Sequence, residues 1–319
     1  MDKLIGNTPI IKIKYKYKEQ ESYIYVKLEQ YNLTGSIKDR LALYIIEEAA
    51  KKNMLMSKMP IIEATSGNTG ISFSALGAHY NHPVYIFMPD WVSKERIDLM
   101  KLFGAKVTLI SKEEGGFKTC IERADKLAKE IKGYRPNQFS NNLNIECHYN
   151  NTGKEIIKQI KEEIGGFVSG IGSGGTLMGI SKRLKEKYPN ILIGAVEPLE
   201  MPLLTTKKII GNHKIEGIGD DFIPELVDTK IIDKVFDIHD EDAINMARLI
   251  NKKLGLGIGI SSGANLLGAV LLTKNTNKPV ITIFPDDNKK YLSTDLTKPI
   301  NLKKELISNQ IELLDYEVI

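Results

Sequence analysis

Short apolar runs bounded by glycine and proline alternate along this chain with longer stretches in which apolar residues recur every three or four positions. The short runs predict strands at Tyr23–Leu28, Ile61–Ala64, Val84–Met88, Lys106–Ile110, Phe167–Gly170, Leu192–Val196 and Val280–Phe284. The helical spacing predicts helices over Asp39–Lys52, Thr69–Tyr80, Lys94–Phe103, Phe117–Ile131, Lys154–Ile164, Thr176–Lys187, Glu241–Leu254 and Ala264–Leu272. Strand and helix in alternation make an α/β chain with a mainly parallel sheet, because a parallel pair needs a crossover and a helix supplies it. Lys12, Lys14, Lys16 and Lys18 alternate along a further strand-like stretch, as on a solvated face or a guarded sheet edge.

At 319 residues the chain suits two domains. Glycine and proline interrupt the pattern at Gly133–Gln138 and at Gly165-Gly166, and a division near residue 145 is expected. It gives a smaller, mobile N-terminal domain (1–145) and a larger C-terminal one (146–319), with the first ~30 residues candidates to pack on the latter. The last ~25 residues, with the amphipathic stretch Leu302–Ile307, are too few for another domain and are expected to cap the core or join a dimer surface. A net charge of +4 with scattered lysines argues against nucleic-acid binding. No apolar run is long enough to span a bilayer, and the N-terminus lacks a signal-peptide core, so a cytoplasmic location is expected. Cys120 and Cys147 fit a reducing compartment, and the five histidines form no metal-ligand spacing.

Chemistry gathers where strands give way to helices. Gly172-Ser173-Gly174-Gly175-Thr176 lies between an apolar run and a helical pattern, where close backbone approach and free helix amides favour a phosphate. The same segment approximates a dinucleotide fingerprint beginning at Gly170, with Glu197 placed to meet a ribose, and an NAD-dependent oxidoreductase is the rival reading. Thr65-Ser66-Gly67-Asn68-Thr69-Gly70 supplies hydroxyls, an amide and N–H groups at a helix start, suited to a carboxylate or to plain capping. Lys38, in Ser36-Ile37-Lys38-Asp39-Arg40, stands at a loop–helix corner beside an apolar wall, where a lysine can lose its proton and act as a nucleophile. An imine-forming amine, a carboxylate nest and a phosphate cradle are what pyridoxal phosphate requires.

With Glu216-Gly217-Ile218-Gly219 and Gly259-Ile260-Ser261-Ser262-Gly263, these motifs resemble the cysteine synthase/cystathionine β-synthase family, in order from Ile5-Gly6-Asn7-Thr8-Pro9 to Tyr291-Leu292-Ser293-Thr294. The resemblance implies a homodimeric fold-type II enzyme like the tryptophan synthase β chain, with two open, mainly parallel twisted sheets flanked by helices. It implies that Lys38 holds pyridoxal 5'-phosphate and moves the Cα proton, and that Asn68 meets the cofactor's 3′-oxygen. Thr65, Ser66, Thr69, Gln138 and Gly219 would bind substrate, Gly172, Ser173, Gly174, Gly175 and Thr176 the phosphate, and Ser261 the pyridine nitrogen. A neutral hydroxyl at that nitrogen favours loss of a Cβ leaving group, to an α-aminoacrylate, over a long-lived carbanion.

One departure separates the chain from the plain cysteine synthase pattern. Small residues usually follow Gly217-Ile218-Gly219, but here Asp220-Asp221-Phe222-Ile223-Pro224 follow. Cystathionine β-synthases resemble this chain at Asp221, which is expected near the substrate Cβ, with Asp220 in solvent. A carboxylate there would activate water or a thiol, or anchor the ammonium of a co-substrate such as homocysteine, and would repel hydrosulfide. The expectation is a β-replacement or β-elimination enzyme using L-cysteine or L-serine and releasing hydrogen sulfide from cysteine, with O-acetylserine plus sulfide as the alternative. Nothing in the chain argues for a docked serine acetyltransferase, and no haem-binding or adenosyl-regulated module is expected.

Overall fold

A computed structural model describes Met1, residues 3–298 and residues 305–319. Among the described residues ten strands form two sheets: β1 (Ile10–Tyr17), β2 (Gln20–Leu28), β3 (Ile61–Ala64), β4 (Val84–Pro89), β5 (Lys106–Ile110), β6 (Gly166–Gly170), β7 (Leu192–Pro198), β8 (Lys234–Ile238), β9 (Val280–Phe284) and β10 (Ile311–Val318). The larger sheet runs β10-β1-β2-β9-β6-β7-β8 and the smaller β3-β4-β5. All pairings are parallel except β1 with β2 and β1 with β10. The helices are α1 (Lys38–Lys51), α2 (Asn68–Tyr80), α3 (Lys94–Leu102), α4 (Gly116–Glu130), α5 (Leu143–Cys147), α6 (Gly153–Gln159), α7 (Gly175–Lys187), α8 (Leu203–Thr206), α9 (Asp240–Leu254) and α10 (Ile260–Leu272). The α/β architecture with mainly parallel sheets is the one expected.

All seven predicted strands are present. Three differences have physical causes. The lysine-bearing strand β1 is no edge, because β10 covers it; its lysines do face water, and Lys12 pairs with Glu317 across the register at 3.3 Å. The C-terminal residues are therefore a strand of the main sheet rather than a cap, although Leu302–Lys304 lie outside the described residues. In β10 only Ile311 and Leu313 are buried, and a bulge between Lys14 and Tyr15 breaks the alternation that would have revealed the strand. Similarly, β8 is a short edge strand with charge at Lys234 and Asp237. The helix expected from Lys154 to Ile164 instead begins at α5, passes one wide turn at His148–Thr152 and stops at Gln159.

The core explains where the reactive loops sit. Helix α10 is apolar nearly all round and buried along its length, packed on β6, β7 and β9 beneath α9. Its start, with Ser261, therefore opens beside the carboxyl ends of β6 and β9. Below Lys38, Arg40 is fully enclosed and pairs with Glu29 at 2.6 Å and Glu155 at 2.6 Å, while Lys27 reaches Glu155 at 2.8 Å. This ionic cluster joins β2, α1 and α6 and fixes the start of α1.

Candidate active site

Lys38 is the first residue of α1, and its neighbour Asp39 holds that turn in place. The buried Asp39 carboxylate accepts hydrogen bonds from the Thr34 backbone N–H at 2.7 Å and from the Ser72 hydroxyl at 2.6 Å, tying α1 to α2. The Lys38 side chain lines an inner cavity together with Thr65, Ser66, Asn68, Thr69, Gln138, Gly172, Ser173, Gly174, Thr176 and Ser261. Burial pushes its amine below the usual lysine range, opposed by the nearby carboxylates of Asp220 and Asp286. A lysine so placed reaches its neutral, nucleophilic form more readily.

The glycine bend is built for close approach. A Cβ on Gly172 would lie 2.4 Å from the Gly217 carbonyl oxygen, and Gly174 has φ +86°. Gly175 is not on the cavity wall; it begins α7 against Asn144, whose Oδ1 a Cβ there would meet at 2.0 Å. Asn144 Nδ2 donates to Ser173 Oγ at 2.9 Å. The buried His148 brackets Thr176: Nε2 is 3.2 Å from its Oγ1, and Nδ1 is 3.0 Å from Thr152 Oγ1. Burial, then Lys38 and Arg40, hold His148 down at about 3, so the ring is neutral and joins two hydroxyls.

On the opposite wall, Thr69 donates to Gln138 Oε1 at 2.7 Å, and Gly67 N–H donates to Thr65 Oγ1 at 3.1 Å. Asn68 Nδ2 donates to Asp286 at 2.7 Å, and its Oδ1 is buried with no hydrogen-bond partner. Asp286 also accepts from the Tyr291 hydroxyl at 2.8 Å.

A second, outer cleft of about 700 Å³ adjoins the cavity, a size suited to small molecules. Asp220 borders both spaces. Burial first, then the Asp221 charge, push its carboxyl up to about 6, against the pull of Lys38. Asp221 itself is exposed and lines only the outer cleft, the reverse of the placement expected for this pair. The backbone explains it: Gly219 takes φ +72° and turns the chain so that the first aspartate faces inward. Gly219 likewise lies on the outer cleft, its N–H donated to the Ile171 carbonyl at 2.9 Å.

The cavity fits pyridoxal phosphate: a lysine amine of lowered basicity, a backbone cradle closed to any Cβ and an unpartnered amide oxygen surround one space. Comparison with known proteins agrees. Residues 1–286 match the family model described as pyridoxal-phosphate dependent enzyme. The cysteine synthase of Staphylococcus aureus (strain Mu50) is 38% identical over 297 residues, which cover 92% of this chain and 95% of the relative. This chain belongs to the cysteine synthase family of pyridoxal-phosphate dependent enzymes. Among solved structures, a hydrogen sulfide-producing enzyme from Fusobacterium nucleatum is 49% identical with TM-score 0.96, covering 100% of this chain and 97% of that one. An O-acetylserine dependent cystathionine beta-synthase from Helicobacter pylori is 36% identical with TM-score 0.86, covering 93% and 97%.

The family match sets aside the oxidoreductase reading. Both carboxylate oxygens of Glu197 accept backbone N–H groups, from Leu204 at 2.8 Å and Thr205 at 2.9 Å, which gives the residue a local structural role. No helix among the described residues is long and apolar enough to cross a membrane, and no group of potential metal ligands occurs among them. Both cysteines are buried, with thiols pushed up to about 12 by burial, which makes them poor nucleophiles. His148, Asn144 and Asp286 escaped the sequence reading, since each acts through a neighbour distant in sequence and lies in no recognisable motif.

Proposed function

We propose that this enzyme carries out β-replacement on L-cysteine, with water as the second substrate: the Cβ–S bond breaks, a C–O bond forms, and L-serine and hydrogen sulfide leave. L-Serine with a thiol such as homocysteine uses the same residues. The observation that carries this reading is the Asp220 carboxylate on the wall between cavity and cleft. It is a base poised near neutrality where sulfide capture has no use for one.

Bound pyridoxal phosphate supplies an electron sink for negative charge at Cα, which lets a Cβ substituent depart. Lys38 Nζ would hold its aldehyde carbon and, once freed, take and return the Cα proton. Gly172, Ser173, Gly174 and Thr176 would hold the phosphate with Gly175 starting the helix behind them, Asn68 would meet the 3′-oxygen, and Ser261 the ring nitrogen. Thr65, Ser66, Thr69 and Gln138 would take the substrate carboxylate. The part expected of Asp221 falls to Asp220, whose carboxylate accepts a proton from the incoming water and repels hydrosulfide. Asp221 acts through Asp220 by raising its basicity. The second reading, cysteine formation from O-acetylserine and sulfide, is favoured by the name of the Staphylococcus relative.

Mass spectrometry of products from cysteine, serine and O-acetylserine, each with and without homocysteine, tests the choice. Sulfide and serine from cysteine, lost about 100-fold or more in Asp220→Asn while O-acetylserine turnover persists, is expected. Equal loss of both activities in that variant, or no sulfide from cysteine in the unaltered enzyme, refutes it.

A further inference from the structure

The loop Glu216–Phe222 crosses the boundary between cavity and cleft, and both of its ends are fastened to helices that flank the smaller sheet. At one end Glu216 forms an ion pair with the buried Arg96 of α3. Arg96 is braced in turn: its Nη1 donates to Ser93 Oγ at 2.7 Å and to the Lys290 carbonyl at 3.2 Å, and its guanidinium lies 4.5 Å from the Tyr291 ring centroid. At the other end the Phe222 ring enters an aromatic socket. It stacks on Phe117 of α4 (6.5 Å, 12°) and meets Phe139 edge-on (5.2 Å, 66°). Phe117 and Phe139 are themselves in edge contact at 5.6 Å. Between the two anchors lie Gly217 (φ +93°) and Gly219 (φ +72°), conformations that side-chain-bearing residues rarely adopt. Two reversals within so few residues leave the direction of Asp220 to be set by what grips the ends.

We propose that the Arg96–Glu216 ion pair and the Phe222 socket are positioning elements, which together hold Glu216–Phe222 as a strap and aim Asp220 at Lys38. This inference rests on the role given to Asp220 above. Arg96 extends the arrangement to the substrate side. A Cβ on Gly67 would lie 2.6 Å from Arg96 Nε, so the guanidinium rests directly on the loop proposed to take the substrate carboxylate. One side chain thus sets the spacing between the carboxylate loop and the strap, and so between the two ends of a bound amino acid. Displacing a reacting group by about 1 Å costs about 100-fold in rate, so anchors of this kind matter although they touch no substrate.

The charged and titratable groups lining the spaces that Asp220 borders are Lys38 of α1, Lys94 and Arg96 of α3, Lys112 after β5, Glu197 of β7, His213 and Lys214 just before the strap, Glu216 and Asp221 within it, and Asp295. Releasing the strap lets Asp220 swing into water. Its titration then falls toward the ordinary carboxylate value of about 4.

The test uses holoenzyme carrying Phe222→Ala, Phe222→Leu or Glu216→Gln, read by amide hydrogen exchange over residues 216–224 and by the pH profile of sulfide release from cysteine. Phe222→Ala and Glu216→Gln should exchange faster over that segment, lose about 10–100-fold in rate and show an acidic limb moved to lower pH. The bound-cofactor absorbance should stay unchanged, and Phe222→Leu should restore most of each property. Unchanged exchange in both Phe222→Ala and Glu216→Gln overturns the proposal, as does faster exchange with an unmoved acidic limb. If the unaltered enzyme releases no sulfide from cysteine, the role of Asp220 falls, and the exchange measurement alone then decides whether the strap is held at both ends.

Discussion

At the scale of single residues, the site depends on groups whose protonation is set by burial. His148 stays neutral at any pH near neutrality because it is enclosed beside two cations, and its use is to hold the Thr176 hydroxyl. Replacing it with alanine should weaken cofactor retention about 10-fold, the worth of roughly one hydrogen bond, as read by absorbance titration of the apoenzyme. Between pH 5 and 8 that difference should not vary, since His148 does not titrate there. Asp220 behaves oppositely. Its carboxyl is raised to about 6, so sulfide release should decline as pH falls through that value and the base is protonated. Asp221→Asn removes the second cause of the upward shift, and the acidic limb of its pH–rate profile should move to lower pH. An unmoved limb would show that the two carboxylates do not interact.

At the scale of elements, loops are placed by the strands and helices they join. The bend at Gly172 passes against the Gly217 backbone, which cannot yield as a flexible side chain would. Gly172→Ala should therefore cost about 1–3 kcal/mol by denaturant unfolding and abolish the cofactor's visible absorbance. The start of α1 depends on the ionic cluster beneath it. Removing the Glu29 charge leaves Arg40 partly unpaired in an enclosed site, and Glu29→Gln should cost about 3–5 kcal/mol. Arg40 and Lys27 hold Glu29 down at about 2 against the opposing effect of burial. Its contribution is thus complete above the unfolded value of about 4.3 and is lost as pH falls toward 2. The stability gap between Glu29→Gln and the unaltered protein should close over that acidic window.

At the scale of the whole molecule, the chain's last strand completes a sheet begun by its first. Without β10, the strand β1 would present an open edge with Ile11, Ile13 and Tyr15 beside it. Ending the chain after Gln310 removes the buried Ile311 and Leu313 side chains, worth about 3–6 kcal/mol together. The truncated protein should melt at lower temperature in calorimetry and aggregate in size-exclusion chromatography. An unchanged melting temperature would show that β10 only decorates the sheet.

What the sequence by itself determined was local: βα alternation, the glycine bend, the hydroxyl-rich loop and the lysine at a helix start. These are properties of neighbours along the chain, where periodicity and backbone freedom leave a trace. The tertiary structure alone decided which aspartate of Asp220-Asp221 faces inward, because two left-handed glycines and distant anchors on α3 and α4 set that direction. It alone revealed β10 as the partner of β1, since a bulged strand with two buried residues carries no clear alternation. His148, Asn144 and Asp286 likewise gained their parts only from folding, because each acts through a partner brought to it by distant segments of the chain.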